Sequence, residues 1–175
     1  MTAEELLDRY ALGERNFAGI LLYAGEYEKS LDGRVLAGSN LCGSTLEGDW
    51  SGVNLSESRM CGVIASGCDF QKASFCGANL SGGIFTQCDM NGSDFTNAFL
   101  CGVAFKQTEV CNANLTRADL RGSFLTETGL ENSNLAEANL QGAEGVYIAS
   151  LERLGCDLTG VRLPNGTIYS SSQNF

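Results

Sequence analysis

The chain has no histidine, a single proline, and 11 lysines and arginines against 21 aspartates and glutamates, a formal charge of -10 over 175 residues. Without histidine there are no His-based catalytic triads, no His metal sites and none of the commonest general base. An acidic surface offers no basic stripe to displace counterions from phosphates, so direct nucleic-acid binding is not expected. No apolar run approaches the 18 or so residues of a membrane span. The opening MTAEELLDRY lacks a basic segment followed by an apolar one, so no secretory signal is visible and a cytoplasmic location is the expectation. Nucleotide-binding glycine motifs and the Asp-bearing nonapeptide repeat are missing as well. With 43% hydrophobic residues and 22 glycines the chain is neither collagen-like nor disordered, and it is long enough for one domain with a core.

What it does have is a period of five. In ANLTRADLRGSFLTETGLENSNLAEANLQG, residues 113 to 142, the leucines are Leu115, Leu120, Leu125, Leu130, Leu135 and Leu140. Helices repeat near 3.6 residues and half-buried strands at 2, so neither keeps these side chains on one face. Called i, the apolar centres keep the period back to Trp50 through Leu55, Met60, Ala65, Phe70, Phe75, Leu80, Phe85, Met90, Phe95, Leu100, Phe105 and Val110. Upstream they continue as Phe17, Leu22, Tyr27, Leu31, Leu36, Leu41 and Leu46, with four-residue steps from Tyr27 to Leu31 and from Leu46 to Trp50; the total is about 26 repeats. Position i-2 is mostly Ala or Ser, and i-1 is often Asn or Asp, as in Asn40, Asn54, Asn79, Asn114 and Asp119.

This A/S, N/D, L/F, polar, G/polar pattern resembles the pentapeptide-repeat family over about residues 15 to 145, and LLDRYALGERNFAGILL is similar to the start of cyanobacterial members. The resemblance implies an all-β fold: a right-handed quadrilateral β-helix, four pentapeptides to a coil, with i and i-2 pointing inward. Special residues should then recur every fourth repeat, and Gly43, Gly62, Gly82, Gly102, Gly122 and Gly142 do so at i+2. Either one corner of each coil demands a turn with positive φ that the others do not, or glycine is merely common there. At about 4.8 Å per coil the column would be roughly 31 Å long.

If each four-residue step still spans one side, Leu22, Leu41, Met60, Leu80, Leu100, Leu120 and Leu140 form one inward ladder. Open coil ends need caps. Residues 1–16 are expected as an N-terminal helical cap, with Thr2 and Glu5 as a capping box and the helix at residues 2–11. Residues 17–142 make the β-helix. Residues 143–175 form a C-terminal cap, with a short helix in GVYIASLERLG, one more partial coil around Leu158 and Leu163, and a turn at Pro164, Asn165 and Gly166. A homodimer contact through Ile168, Tyr169 and Phe175 is a further expectation.

No cofactor or metal site is expected and catalysis is not, since a filled rod has no pocket in which polar groups converge. Function then falls on the outer columns. One is acidic: Asp49, Asp69, Asp89 and Glu109. It reads either as ordinary turn-capping at i-1 or as evenly spaced negative charge like that of a DNA backbone. Another is apolar: Ile64, Ile84, Ala104 and Phe124, with Phe99 on the preceding face. The C-terminal tail could cover it, a partner or second copy could bind it, or it could be scatter. Eight cysteines in a chain without a visible signal read first as free thiols. The register also brings Cys42 to Cys61 and Cys68 to Cys88, one coil apart, at Cα separations compatible with a disulfide. Oxidised cysteines would move the expected location to the periplasm or a thylakoid lumen. Two functions are carried forward: a non-enzymatic scaffold or interaction rod for an unidentified protein partner, and, as the resemblance implies for some members, a DNA mimic acting on DNA gyrase.

Overall fold

The computed structural model describes residues 1–25 and 31–170. In chain order the elements are helix α1 (Ala3–Ala11), strands β1 (Leu21–Ala24), β2 (Thr45–Gly48), β3 (Ile64–Ser66), β4 (Ile84–Thr86) and β5 (Ala104–Lys106), and helix α2 (Ile148–Arg153). The strands form one parallel sheet in sequence order. The other sides stack through single parallel bridges such as Asn54 to Ser74 to Asp94 to Asn114 to Asn134. The chain is a right-handed quadrilateral β-helix. Its interior is the i and i-2 residues: Trp50, Phe70, Phe75, Phe85 and Phe95 are fully buried, and the Phe75 and Phe95 rings stack at 4.9 Å.

Each side is built the same way. The backbone N–H of i+3 closes a turn onto the carbonyl of i, as Ser58 does onto Leu55 at 3.2 Å. Residue i+2 adopts positive φ, the third position of a type II turn. That φ is found at Glu57, Lys72, Gln87, Asn97 and Arg117 as well as at the glycines, so every corner demands it and the glycine corner is not the exceptional one. The exceptional corner follows β3, β4 and β5: among the described residues no i+3 to i bond closes the turns after Ala65, Phe85 and Phe105.

A difference at i-1 accompanies this open corner, although Phe124, in the same column and without an acceptor, has its turn closed by Thr128 N–H onto the Leu125 carbonyl at 3.3 Å. On the other sides an Asn or Asp there accepts the N–H of i+1 through its side chain, as Asn54 does from Ser56 at 3.0 Å and Asp94 from Thr96 at 2.9 Å. Ile64, Ile84 and Ala104 have no such acceptor, and their backbone continues as strand. Isolated exceptions such as Arg59 and Phe99, between levels that keep the acceptor, do not convert their side.

The register corrects one expectation. Leu22 lies in register with Leu46, not with Leu41, which stacks over Phe17 instead: Asn16 bridges Asn40, and Phe17 N–H donates to the Asn40 carbonyl. Leu31 and Trp50 sit on consecutive levels of one side, Gly33 N–H donating to the Ser51 carbonyl. Leu22 and Leu31 are nine residues apart in sequence, against four for their level partners Leu46 and Trp50; Tyr27, expected as a centre between them, lies outside the described residues. The step from Leu46 to Trp50 does keep register, through Gly48 at φ 91 and the bridge from Asp49 to Asp69.

Both ends are covered. Thr2 caps α1 by accepting Glu5 N–H at 3.1 Å, and its backbone pairs with Tyr23 beside β1. Leu6 is fully buried. At the other end α2 buries Leu151, and Asp157 and Arg162 pair with Asn134 and Asn139 as a last partial coil. Arg162 then pairs antiparallel with Ile168 around the turn at Pro164, Asn165 and Gly166, which closes the stack with a hairpin. Among the described residues no helix is long and apolar enough to cross a membrane.

Candidate functional site

The sheet's outer surface carries Leu21, Thr45, Ile64, Ile84 and Ala104 in register, and Phe124 continues the column through a bridge from Ala104. Leu21 is 63% exposed, Ile64 48%, Ile84 37% and Phe124 47%. Phe99, 52% exposed, bridges Asn79 and Asp119 on the preceding side, in the coil where the column has only Ala104. The C-terminal residues described here leave these side chains uncovered. Leu21 was missed from sequence because Leu22 had been stacked on Leu41; the register that corrects Leu22 puts Leu21 at the foot of this column.

One side further on stands the acidic column, joined level to level by bridges from Asp49 to Asp69, Asp89 and Glu109 and ending at Gly129. Its aspartates are committed locally. Asp49 accepts Ser51 N–H at 2.9 Å, Asp69 accepts Gln71 N–H at 2.8 Å and Asp89 accepts Asn91 N–H at 3.0 Å, each through Oδ1. Asp69 Oδ2 also accepts from Gln71 Nε2 at 3.4 Å, and a carboxylate has lone pairs left for further donors. Glu109 is a methylene too long for that turn, and Cys111 N–H donates to Asn91 Oδ1 of the coil below instead, at 2.7 Å. Where the two columns meet at the foot of the sheet, Tyr23, Glu47, Gly48, Asp49, Ser66, Gly67 and Asp69 line an open concavity of about 460 Å³.

The two cysteine pairs fare differently. Cys42 and Cys61 are disulfide-bonded across one coil, with Cα atoms 4.6 Å apart. Cys68 and Cys88 are free and buried. They stand at i-2 beyond the unclosed corner, where Cys68 Sγ points to the Leu46 carbonyl at 3.2 Å and Cys88 Sγ to the Ala65 carbonyl at 3.6 Å. Thr108 and Thr128, the next residues in that column, donate to the Phe85 and Phe105 carbonyls in the same way, at 3.1 and 3.2 Å. These cysteines serve as inward hydrogen-bonding groups equivalent to threonine, which turns each sulfur toward the coil below. Hydrogen bonding with Cys88 and then burial push the Cys68 thiol up.

Cys111 was not singled out by sequence. Its Sγ donates to Glu131 Oε2 at 2.8 Å and lies 3.5 Å from Glu109 Oε2, so the three ligand-type atoms fall within 4.8 Å of one another. Burial first, and the Glu131 hydrogen bond second, push its pKa up to about 12. The thiol proton accounts for the approach of the Glu131 carboxylate. Of the expected dimer residues, Ile168 is exposed, Tyr169 is turned onto its own chain with its hydroxyl 2.6 Å from Glu152 Oε1, and Phe175 lies outside the described residues.

With this geometry in hand, the family model described as Pentapeptide repeats (8 copies) matches residues 51–82, 68–107 and 113–144, more than half of the chain. The chain belongs to the pentapeptide repeat family. Among solved structures, a trypsin-treated variant of QnrB1, a plasmid-mediated fluoroquinolone resistance protein, is 18% identical over 86% of this chain and 76% of its own, with a TM-score of 0.50. HetL, a pentapeptide repeat protein involved in heterocyst differentiation regulation from the cyanobacterium Nostoc, is 23% identical over 97% of this chain and 100% of its own, with a TM-score of 0.28. Rfr23, from the cyanobacterium Cyanothece 51142, is 18% identical over 95% of this chain and 99% of its own, with a TM-score of 0.36. A search of curated proteins gave no match. Identities this low carry the pentapeptide-repeat fold alone; function has to be argued from the outer columns.

Proposed function

We propose that this pentapeptide-repeat protein is a non-enzymatic interaction rod that docks a protein partner on the outer face of β1–β5. The observation that carries the reading is the exposed Leu21, Ile64, Ile84 and Phe124, which share one in-register column of the rod with Thr45 and Ala104. Contiguous exposed apolar surface tends to mark interaction sites, and a stacked solenoid presents such a row without ordering cost. The test is capture of partners from native lysate by the wild-type chain beside an Ile64→Ser, Ile84→Ser, Phe124→Ser variant. Loss of a captured protein with that variant, its melting curve unchanged, supports the reading; identical capture by both removes it.

The acidic column favours a second reading, DNA mimicry towards DNA gyrase, because it sets negative charge one coil apart along the rod. Asp49→Asn, Asp69→Asn, Asp89→Asn and Glu109→Gln together would abolish a salt-sensitive inhibition of gyrase. Absence of inhibition by micromolar wild-type protein removes this reading.

A further inference from the structure

We infer that the segment docked on this face is an amphipathic helix with an apolar stripe and a cationic flank, lying along the rod axis. The inference rests on the interaction-rod reading and adds the chemistry of the partner.

Its first support is width. The apolar row is one residue wide per coil, a surface of a few hundred Å², whereas a stable dimer buries about 800 Å² on each copy. A second copy would also bring another -10 of charge against this one. The occupant is therefore narrow.

Its second support is spacing. Levels of the column are about 4.8 Å apart. A helix offers its stripe a residue every turn, about 5.4 Å, and drifts by only about 0.6 Å per level. An extended segment offers same-face side chains about 6.7 Å apart and loses register within two levels.

Charge supplies the third. The next side carries Asp49, Asp69, Asp89 and Glu109, with no cation in that column; each aspartate caps its turn through Oδ1, and Asp69 Oδ2 also takes Gln71 Nε2. Lysine or arginine on one flank of a helix seated on Ile64 and Ile84 would meet this column. Complementary charge of this kind sets orientation and register.

The opposite flank is the glycine corner. At Gly43, Gly62, Gly82, Gly102 and Gly122 an added Cβ would meet nothing within 4 Å. Positive φ does not account for the unbroken series either, because Glu57, Lys72, Asn112 and Arg117 occupy the same φ at other corners. Bare backbone there leaves a low wall beside the apolar row, over which a helix can settle.

The experiment is a fluorescence anisotropy titration of the full chain with a labelled, amidated Leu/Lys peptide of about five helical turns, leucines at helical spacing. Two comparators are the same peptide with Glu for Lys, and the same composition in strict Leu-Lys alternation. The helical Lys peptide binds saturably and better than both. Ile64→Ser with Ile84→Ser weakens it about tenfold, and Asp69→Asn with Asp89→Asn, which keeps the Oδ1 turn acceptor, does the same. Asp94→Asn with Glu57→Gln, on the opposite side, leaves binding unchanged. Melting curves of the variants report folding.

The inference is overturned if the Glu peptide binds equally well, if the opposite-side pair weakens binding as much as Asp69 and Asp89 do, or if no saturable binding occurs by about 100 μM. Any of these leaves the partner-capture result standing on its own. Loss of capture with the serine variant combined with failure of the Lys peptide means a docking face for a different partner; identical capture by wild type and serine variant, together with failure of the Lys peptide, removes the rod reading as well.

Discussion

An L-residue in left-handed backbone carries strain that glycine avoids, and among the described residues ten side-chain-bearing positions lie there, from Glu57 to Glu137. Glycines at equivalent φ therefore differ by what surrounds them. Gly62 has open space where a Cβ would go, so Gly62→Ala carries only the conformational strain, about 1 kcal/mol. In Gly48→Ala the new methyl runs into the Ala24 carbonyl, which also accepts Asp49 N–H at 2.9 Å. That substitution costs several-fold more, and urea midpoints measured side by side give the order. Both positions read from sequence simply as glycines near i+2; their difference depends on the coil below, which the period alone does not place. Cys111 offers a second residue-level test. In the fold burial and then the Glu131 hydrogen bond push its pKa up to about 12, whereas an ordinary thiol ionises near 8.5. The folded pKa is raised, so its contribution to stability is full below about pH 8.5 and is lost as pH rises towards 12. At pH 9 iodoacetamide should label Cys111 far more slowly in native than in urea-unfolded protein, as peptide mapping reads out; equal rates would deny the raised pKa.

At the scale of elements, what was legible is what repeats. The centres from Trp50 to Leu140 all lie inside, and both caps fall where the period stops. What was not legible is the level offset: the five-residue pattern places Leu22 with Leu41, and only pairing to the next coil shows that Leu22 stands with Leu46. The sheet had a signal that went unread. A column whose i-1 residues lack a side-chain acceptor leaves i+1 N–H uncapped by its own side, and Ile64, Ile84 and Ala104 mark that column in the bare sequence. The Cys42–Cys61 bond does not depend on the path between Leu22 and Leu31, because Leu41 and Met60 stay in register. Native-purified protein, unfolded without reductant, should show six reactive thiols, and eight would exclude the bond. A bracket closing a loop of about 20 residues is worth about 3 kcal/mol in the chain-entropy account, so reduction should lower the melting temperature by several degrees and Cys42→Ser should match the reduced protein. Recovery of the bond from cells alkylated at harvest would favour the oxidising-compartment alternative for location.

On the scale of the molecule, each coil contacts only its neighbours, so stability is carried by interfaces between coils and need not be uniform along the rod. The middle is the dense part. Trp50, Phe70, Phe75, Phe85, Phe95 and Phe105 form a chain of ring contacts between 4.9 and 6.4 Å, and each is buried. Towards the C-terminus the centres become leucines, and Leu125 and Leu130 retain 4% and 6% exposure beside an apolar cavity of about 190 Å³ under α2. An incompletely filled end forfeits dispersion contacts and opens at lower free energy than a packed centre. Hydrogen exchange should therefore show amides of Phe85, Phe95 and Phe105 protected to the level of global unfolding, with Leu130, Asn132 and Leu151 exchanging earlier through partial opening from the α2 end. Phe95→Ala, removing the stacked partner of Phe75, should cost about 3–5 kcal/mol and lower protection throughout. Leu151→Ala should instead widen the gap between end and centre while leaving Phe85 protection little changed. Equal loss everywhere from Leu151→Ala would mean that the rod unfolds as one unit, and the interaction face on β1–β5 would then share its stability with the C-terminal cap rather than stand on the aromatic centre.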